Sequence, residues 1–283
     1  MKRLSARGAV RALLSAVAVL ALTLGVASLP WYAERPATPP RVVSAVVGAG
    51  PLRAGAAEAA FALPPGVPIG GFARRMYGSE GLRDAVGARA IVLATPGCKV
   101  VVASADVLLV PEAIEAAVRG QVSDLDIDGL FVTATHTHAG PGGYWESSAG
   151  ERIATGPYDP RIRDAIATVI AVAIRRANEA LAPARAAVAR GTAIDLVRSR
   201  SGGERDGRLT VLRVEREGGA PVAELVVFAA HPTILGGANR RISGDWPGRL
   251  VADGRRGTRV LVQGAIGDQS PAGPESVSPE RFG

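Results

Sequence analysis

The chain has 283 residues, 47% of them hydrophobic, enough for one large core or two small ones. Disordered, collagen-like and mini-protein classes are thereby excluded. The net charge is +7, but residues 1–41 carry +5 of it and the other 242 residues only +2. A nucleic-acid-binding domain concentrates its charge on the folded surface, so nucleic acid is not an expected partner. Arg supplies 31 of the 33 cations, which reads as coding bias rather than an anion-binding surface. Cys98 is the single cysteine, excluding an intrachain disulfide and the Cys-rich zinc folds. His136, His138 and His231 are the whole histidine supply.

The N-terminus reads as a targeting segment. Basic residues from Lys2 to Arg11 precede an uncharged run from Ala12 to Leu29, closed by Pro30. That run suits a signal-peptide core or a short membrane anchor. Val26-Ala27-Ser28 offers small residues for cleavage, while Trp31 and Tyr32 would serve as interfacial anchors. Residues 1–41 are expected to export the rest, 42–283, which is left extracytoplasmic, either membrane-anchored or secreted or periplasmic.

A Pro/Ala/Gly-rich connector is expected to about residue 65. Ala90–Ala94 and Lys99–Ser104 are β-branched runs joined at Pro96-Gly97, a hairpin signal. Pro111–Val122 has helical composition, and Gly129–Thr135 reads as a buried strand. Asp159-Pro160 supplies an N-cap and a first-turn proline. The helix that follows places Ile162, Ile166, Val169, Ile170, Ala173, Ala177 and Leu181 on one face, and Pro183 is expected to end it. Ala186–Ala189, Leu209–Val214, Ala223–Ala230 and Thr258–Val262 read as later strands. The pattern predicts an α/β fold with a mixed β-sheet, flanking helices and sites on loops after buried strands, without an internal repeat.

Polar and glycine-rich residues gather after those strands, where α/β folds place ligands. In Thr135-His136-Thr137-His138-Ala139-Gly140-Pro141-Gly142-Gly143-Tyr144, extended residues two apart share a face, so both histidines can converge on one ion. The alternative is two hydrogen-bonded histidines ending a strand. Gly142 and Gly143 could present N–H groups to an oxyanion. His231-Pro232-Thr233 and Ile242-Ser243-Gly244-Asp245 follow another strand, and a lone histidine there is more often a core or rim residue than a ligand. Gly267-Asp268-Gln269-Ser270-Pro271 contains a serine that could attack, orient or simply turn the chain, and no Gly-x-Ser-x-Gly elbow surrounds it. Asp106, at the end of Val100–Asp106, is read first as a helix cap, then as a ligand or a partner of one.

Taken in order, the stretch Thr135–Tyr144, His231-Pro-Thr233, Ile242-Ser-Gly-Asp245 and Gly267-Asp-Gln-Ser-Pro271 resemble the neutral/alkaline (non-lysosomal) ceramidases. Ile69-Gly-Gly-Phe72 and Ala88-Arg-Ala90 are similar to the same family's N-terminal part, so the likeness runs over about residues 65–273. It implies a zinc-dependent amidohydrolase that cleaves the N-acyl bond of ceramide, or a related N-acyl lipid, to a sphingoid base and a fatty acid. By that resemblance His136 and His231 bind zinc, and His138 lies beside the metal as proton shuttle. Ser270 takes part in catalysis, and Arg200 (or Arg198) lies near the substrate. Zinc would polarise the amide carbonyl and acidify a water, with Ser270 and the Gly142 and Gly143 N–H groups on the oxyanion.

The family draws a Glu and a Tyr ligand from beyond the serine motif. After Ser270 this sequence has Glu275 and Glu280 but no tyrosine. A fragment of a longer chain is the expectation, or else a shortened relative recruiting Asp106 or Asp245. The competing functions are the same metal-hydrolase scaffold acting on another ester or amide, and a truncated non-catalytic envelope protein. A lipid-like substrate implies a membrane surface as partner.

Overall fold

The computed structural model describes residues 14–21, 48–73, 75, 77–272 and 278–282. The chain divides into two compact units, Met1–Ala45 and Val46–Gly283. In the first, residues 14–21 are helical and exposed, and the rest of the expected targeting segment lies outside the described residues. Among the described residues no helix is long and apolar enough to cross a membrane.

The second unit is built on a mixed sheet. Its strands are β1 (Arg53–Ala60), β2 (Gly87–Thr95), β3 (Cys98–Ala105), β4 (Gly129–Ala134), β5 (Ala182–Thr192), β7 (Arg208–Arg216), β8 (Pro221–Phe228) and β9 (Thr258–Gln263). They run in the order β4-β3-β2-β1-β5-β7-β8-β9. A separate pair joins β6 (Val197–Ser199) to β10 (Gln269–Pro271). Its longer helices are α1 (Glu112–Gln121), α2 (Pro160–Glu179) and α3 (Asp245–Ala252).

Two halves share one topology. Hairpin β2–β3 is followed by α1 and by β4, parallel to β3; hairpin β7–β8 is followed by α3 and by β9, parallel to β8. The halves are spliced where β1 and β5 pair over two residues, Arg53 with Pro183 and Ala54 with Ala182. So short a splice lets the half-sheets diverge and face each other. Alternation along the strands shows this directly, since successive side chains leave opposite faces. Ala88, Ala90 and Val92 of β2 pack with Ile166, Ile170 and Ile174 of α2, whereas Ile91 packs with Val214, Ala223 and Val260 of the other half. The outer face of β8 and β9 buries Val226, Phe228 and Leu261 against Trp246 and Val251 of α3. The layers are helix, sheet, sheet, helix.

The expected helix after Asp159 forms as read. The Asp159 side chain accepts from the Arg161 N–H, Pro160 occupies the first turn, and Ile162, Ile166, Ile170, Ala173 and Ala177 are buried. It stops at Glu179, before Pro183, which is instead the second residue of β5. The connector expected to residue 65 contains β1, paired with β2 along its whole length. Its sequence, RAGAAEAA, has little intrinsic strand preference. Tertiary packing explains it: a Cβ built at Gly55 would lie 2.1 Å from the Ala177 carbonyl oxygen of α2. Only small residues let the helix lie this close to the sheet.

Asp106 does not cap a helix. It is fully buried at the end of β3, accepting from the Gly87 N–H at 3.0 Å and pairing with Arg89 Nη1 at 2.8 Å. The N-cap of α1 is Pro111, with no side-chain hydrogen bond.

A Gly55→Val substitution is expected to destabilise the chain by about 3 kcal/mol or more, since backbone must move to admit it. Chemical denaturation checks this, and an unchanged unfolding midpoint would show that β1 does not pack against α2 in solution.

Candidate metal centre

The three histidines come from two loops, after β4 and after β8. His136 has φ +60°, a left-handed conformation that costs a non-glycine residue about 1–2 kcal/mol. The strand has already ended at Ala134. The convergence of His136 and His138 therefore depends on this turn, not on the alternation of an extended strand. The His138 N–H donates to the Pro232 carbonyl at 3.1 Å, and the His231 N–H to the Gln269 carbonyl at 3.0 Å. Backbone hydrogen bonds thus tie the three motifs to one another.

The Nε2 atoms form a near-equilateral triangle: His136 to His231 3.2 Å, His138 to His136 3.3 Å, His231 to His138 3.1 Å. The Nδ1 of His136 lies 2.6 Å from the Leu108 carbonyl and that of His231 3.0 Å from the Ile266 carbonyl. A carbonyl only accepts, so both Nδ1 atoms carry their protons and both Nε2 atoms present bare lone pairs. Two lone pairs facing each other at 3.2 Å repel unless a cation lies between them. The edge of a tetrahedron with zinc–nitrogen bonds of about 2.0–2.1 Å is about 3.3–3.4 Å. The triangle therefore fits one face of such a polyhedron, and neutral imidazoles suit zinc and its first-row neighbours. These three residues are the group among the described residues that could hold a metal ion. His138 differs from the other two, because its Nδ1 is buried without a hydrogen-bond partner.

Ser270 and Arg200 meet beside this centre. Ser270 lies in β10, opposite Arg198 of β6. The Arg200 Nε donates to Ser270 Oγ at 2.6 Å, and the Arg200 N–H donates to the Asp268 carbonyl at 2.7 Å. Burial lowers the basicity of all three imidazoles, to about 3 for His138 and about 4 for His231, and the Arg200 guanidinium adds to it at each. Arg200 is itself lowered, first by burial and then by Arg198.

Gly142 and Gly143 have a different role from the expected oxyanion donors. The Gly142 N–H donates to the Pro68 carbonyl and the Gly143 N–H to the Thr155 carbonyl, each at 2.6 Å, so neither is free. A Cβ at Gly142 would lie 2.1 Å from the Thr155 oxygen, which makes glycine necessary for a backbone approach rather than for a ligand. Asp245 and Asp106 are not recruited as ligands either. Asp245 accepts from the N–H groups of Ile234, Leu235 and Trp246. Glu275 and the side chain of Glu280 lie outside the described residues.

Four supporting residues carried no signal of their own in the sequence. Buried Arg75 donates to the carbonyls of Gly70, His138, Gly236 and Gly237, joining three segments behind His138. Phe72 packs edge-on to the His138 ring with centroids 5.0 Å apart. The Gln263 amide donates to the Thr135 carbonyl at 2.8 Å, linking the end of β9 to the residue before His136. The Tyr144 hydroxyl accepts from the Leu109 N–H, holding the segment whose Leu108 carbonyl orients His136. Only Phe72 and Tyr144 fell within a recognisable motif.

A profile of the family described as "Neutral/alkaline non-lysosomal ceramidase, N-terminal" matches residues 64–252. Neutral ceramidase A of Dictyostelium discoideum is 30% identical over 133 residues, covering 42% of this chain and 18% of that protein. The neutral ceramidase of Mycobacterium tuberculosis (strain ATCC 25618 / H37Rv) is 32% identical over 130 residues, 41% of this chain and 20% of that one. The crystal structure of neutral ceramidase from Pseudomonas aeruginosa superposes with a TM-score of 0.71 at 22% identity, covering 78% of this chain and 40% of that chain. That likeness shows a shared fold, and this chain spans well under half the length of each relative.

Burial gives the cluster a defined acid sensitivity. A histidine whose folded pKa lies below its unfolded value near 6.5 binds its proton more readily when unfolded. Stability of the metal-free chain is therefore full above pH about 6.5 and falls as the pH drops toward 4 and then 3. Unfolding midpoints across that range, after chelation, should show this slope, weakened in His138→Ala. A flat profile would contradict the buried, neutral state of the three rings.

Proposed function

The chain belongs to the neutral/alkaline non-lysosomal ceramidase family, and from that premise we propose that it acts as a zinc-dependent amidohydrolase. It cleaves the N-acyl bond of ceramide, or of a related N-acyl lipid, to a sphingoid base and a fatty acid. The observation that carries this reading is the triangle of Nε2 atoms 3.1–3.3 Å apart, two of them held as bare lone pairs by the Leu108 and Ile266 carbonyls. When bound, zinc supplies a Lewis acid for the acyl carbonyl.

The chain's own residues supply the rest. His136 and His231 hold the metal through fixed tautomers. His138 turns its Nε2 to the same centre and buries its Nδ1, so it would hold the metal as a third donor in place of the proton-relay role expected for it. Ser270 Oγ accepts from Arg200, so its own hydroxyl proton is free for the oxygen that becomes negative as the amide carbon turns tetrahedral. Among the described residues no base is bonded to Ser270, which supports an orienting serine rather than a nucleophile. Arg200 adds positive charge where negative charge develops. The basic-then-apolar order of residues 2–29 supports an extracytoplasmic location near a membrane surface.

Elemental analysis of the 283-residue chain should find about one zinc per chain, lost in both His136→Ala and His231→Ala. The same variants should lose hydrolysis of N-acylsphingosine. Activity retained in His136→Ala would falsify the metal mechanism. Hydrolysis of soluble amides or esters in preference to the lipid would move the substrate class away from ceramide.

A further inference from the structure

A cavity of about 360 Å³ opens beside the candidate metal centre. Ile69, Phe72, Ala154, Gly156 and Pro157 form its walls, with Glu151 and Arg152 also lining it. Phe72 is shared with the centre, one edge meeting the His138 ring at 5.0 Å. Arg75 also lines the cavity, but its guanidinium is engaged by four backbone carbonyls and by the Phe72 face at 4.9 Å. What it contributes to the wall is its aliphatic stem. The opposite wall is a wide π-helical turn, Glu151–Thr155, a rare conformation that recurs at functional sites. This turn is pinned to the floor by the Gly71 N–H on the Ala154 carbonyl at 2.7 Å and the Gly143 N–H on the Thr155 carbonyl at 2.6 Å. Glycine is obligatory at Gly71, since φ is +110° and a Cβ would lie 2.4 Å from the His138 Cα. The cavity is thus preformed, with the Phe72 ring standing between it and His138.

We propose that this cavity receives a single hydrocarbon chain of the N-acyl lipid substrate, and that Ala154 limits the chain length it accepts. Its volume lies at the lower end of small-molecule pockets, room for one chain and not two. The proposal rests on the ceramidase reading for its substrate, but chain binding can be measured without turnover.

The test is calorimetric titration of the full chain, stripped of metal, with saturated fatty acids and, separately, primary alkylamines of increasing length. Affinity should rise by about fourfold per methylene until the cavity is full and then level off. The series that shows the plateau identifies the acyl or the sphingoid chain. Ala154→Leu and Ala154→Phe should move the plateau to shorter chains and weaken the longest by about tenfold, leaving the shortest unchanged. Thermal unfolding of each variant establishes that it folds. Affinity independent of length, or a plateau that neither folded variant moves, overturns the proposal. Failure of the zinc-loaded wild type to hydrolyse any N-acyl lipid, with the length dependence intact, overturns the ceramidase reading and leaves a chain-binding cavity.

Discussion

The interaction on which the rest of the structure depends is the electrostatic demand of two imidazole lone pairs held face to face. His136 and His231 are each locked by a carbonyl from a separate loop, so neither ring can turn its N–H inward to relieve the repulsion. A cation satisfies them at little cost of reorganisation, because the donors already stand at tetrahedral spacing. The folded chain carries that preorganisation as strain, visible in the left-handed backbone of His136 and in the buried, unpartnered Nδ1 of His138.

The architecture makes this possible by bringing together the C-terminal ends of strands from two halves. β4 delivers His136 and His138, β8 delivers His231, and β10, which follows β9, delivers Ser270. On a flat sheet these ends would lie apart, since β4 and β8 run in opposite directions. The two-residue splice between β1 and β5 lets one half close over the other. Gln263 then bonds to the Thr135 carbonyl, joining the ends of β9 and β4 across the interface. Small residues let other parts of the first half lie close to one another, Gly55 against α2 and Gly142 against Thr155.

Charge around the centre is arranged in the same sense. Asp106 and Asp245 are neutralised within the scaffold by an arginine and by backbone N–H groups, respectively. Arg200, by contrast, faces the imidazoles and Ser270. The centre therefore faces one cation and the Ser270 hydroxyl beside the lone pairs of its imidazoles. The same geometry places an apolar cavity one aromatic ring away from the histidines.

Much of this was legible in the sequence, for local reasons. The β2–β3 hairpin, the capped helix at Asp159 and most later strands follow from turn chemistry and hydrophobic period, which depend on neighbours only a few residues apart. With three histidines in the chain and all of them after strands, the candidate metal residues were also legible. Tertiary structure decided what depends on distant partners. β1 is a strand because α2 and β2 cover it, despite an alanine- and glycine-rich sequence. Asp106 became half of an ion pair with Arg89 because β2 lies beside β3. Gly142 and Gly143 spend their N–H groups on Pro68 and Thr155, residues no local pattern connects to them. Arg75 acquires its place behind His138 only when three segments meet around it. Composition and period specify which elements form; only the closure of one half-sheet over the other specifies which of their polar groups remain free for chemistry.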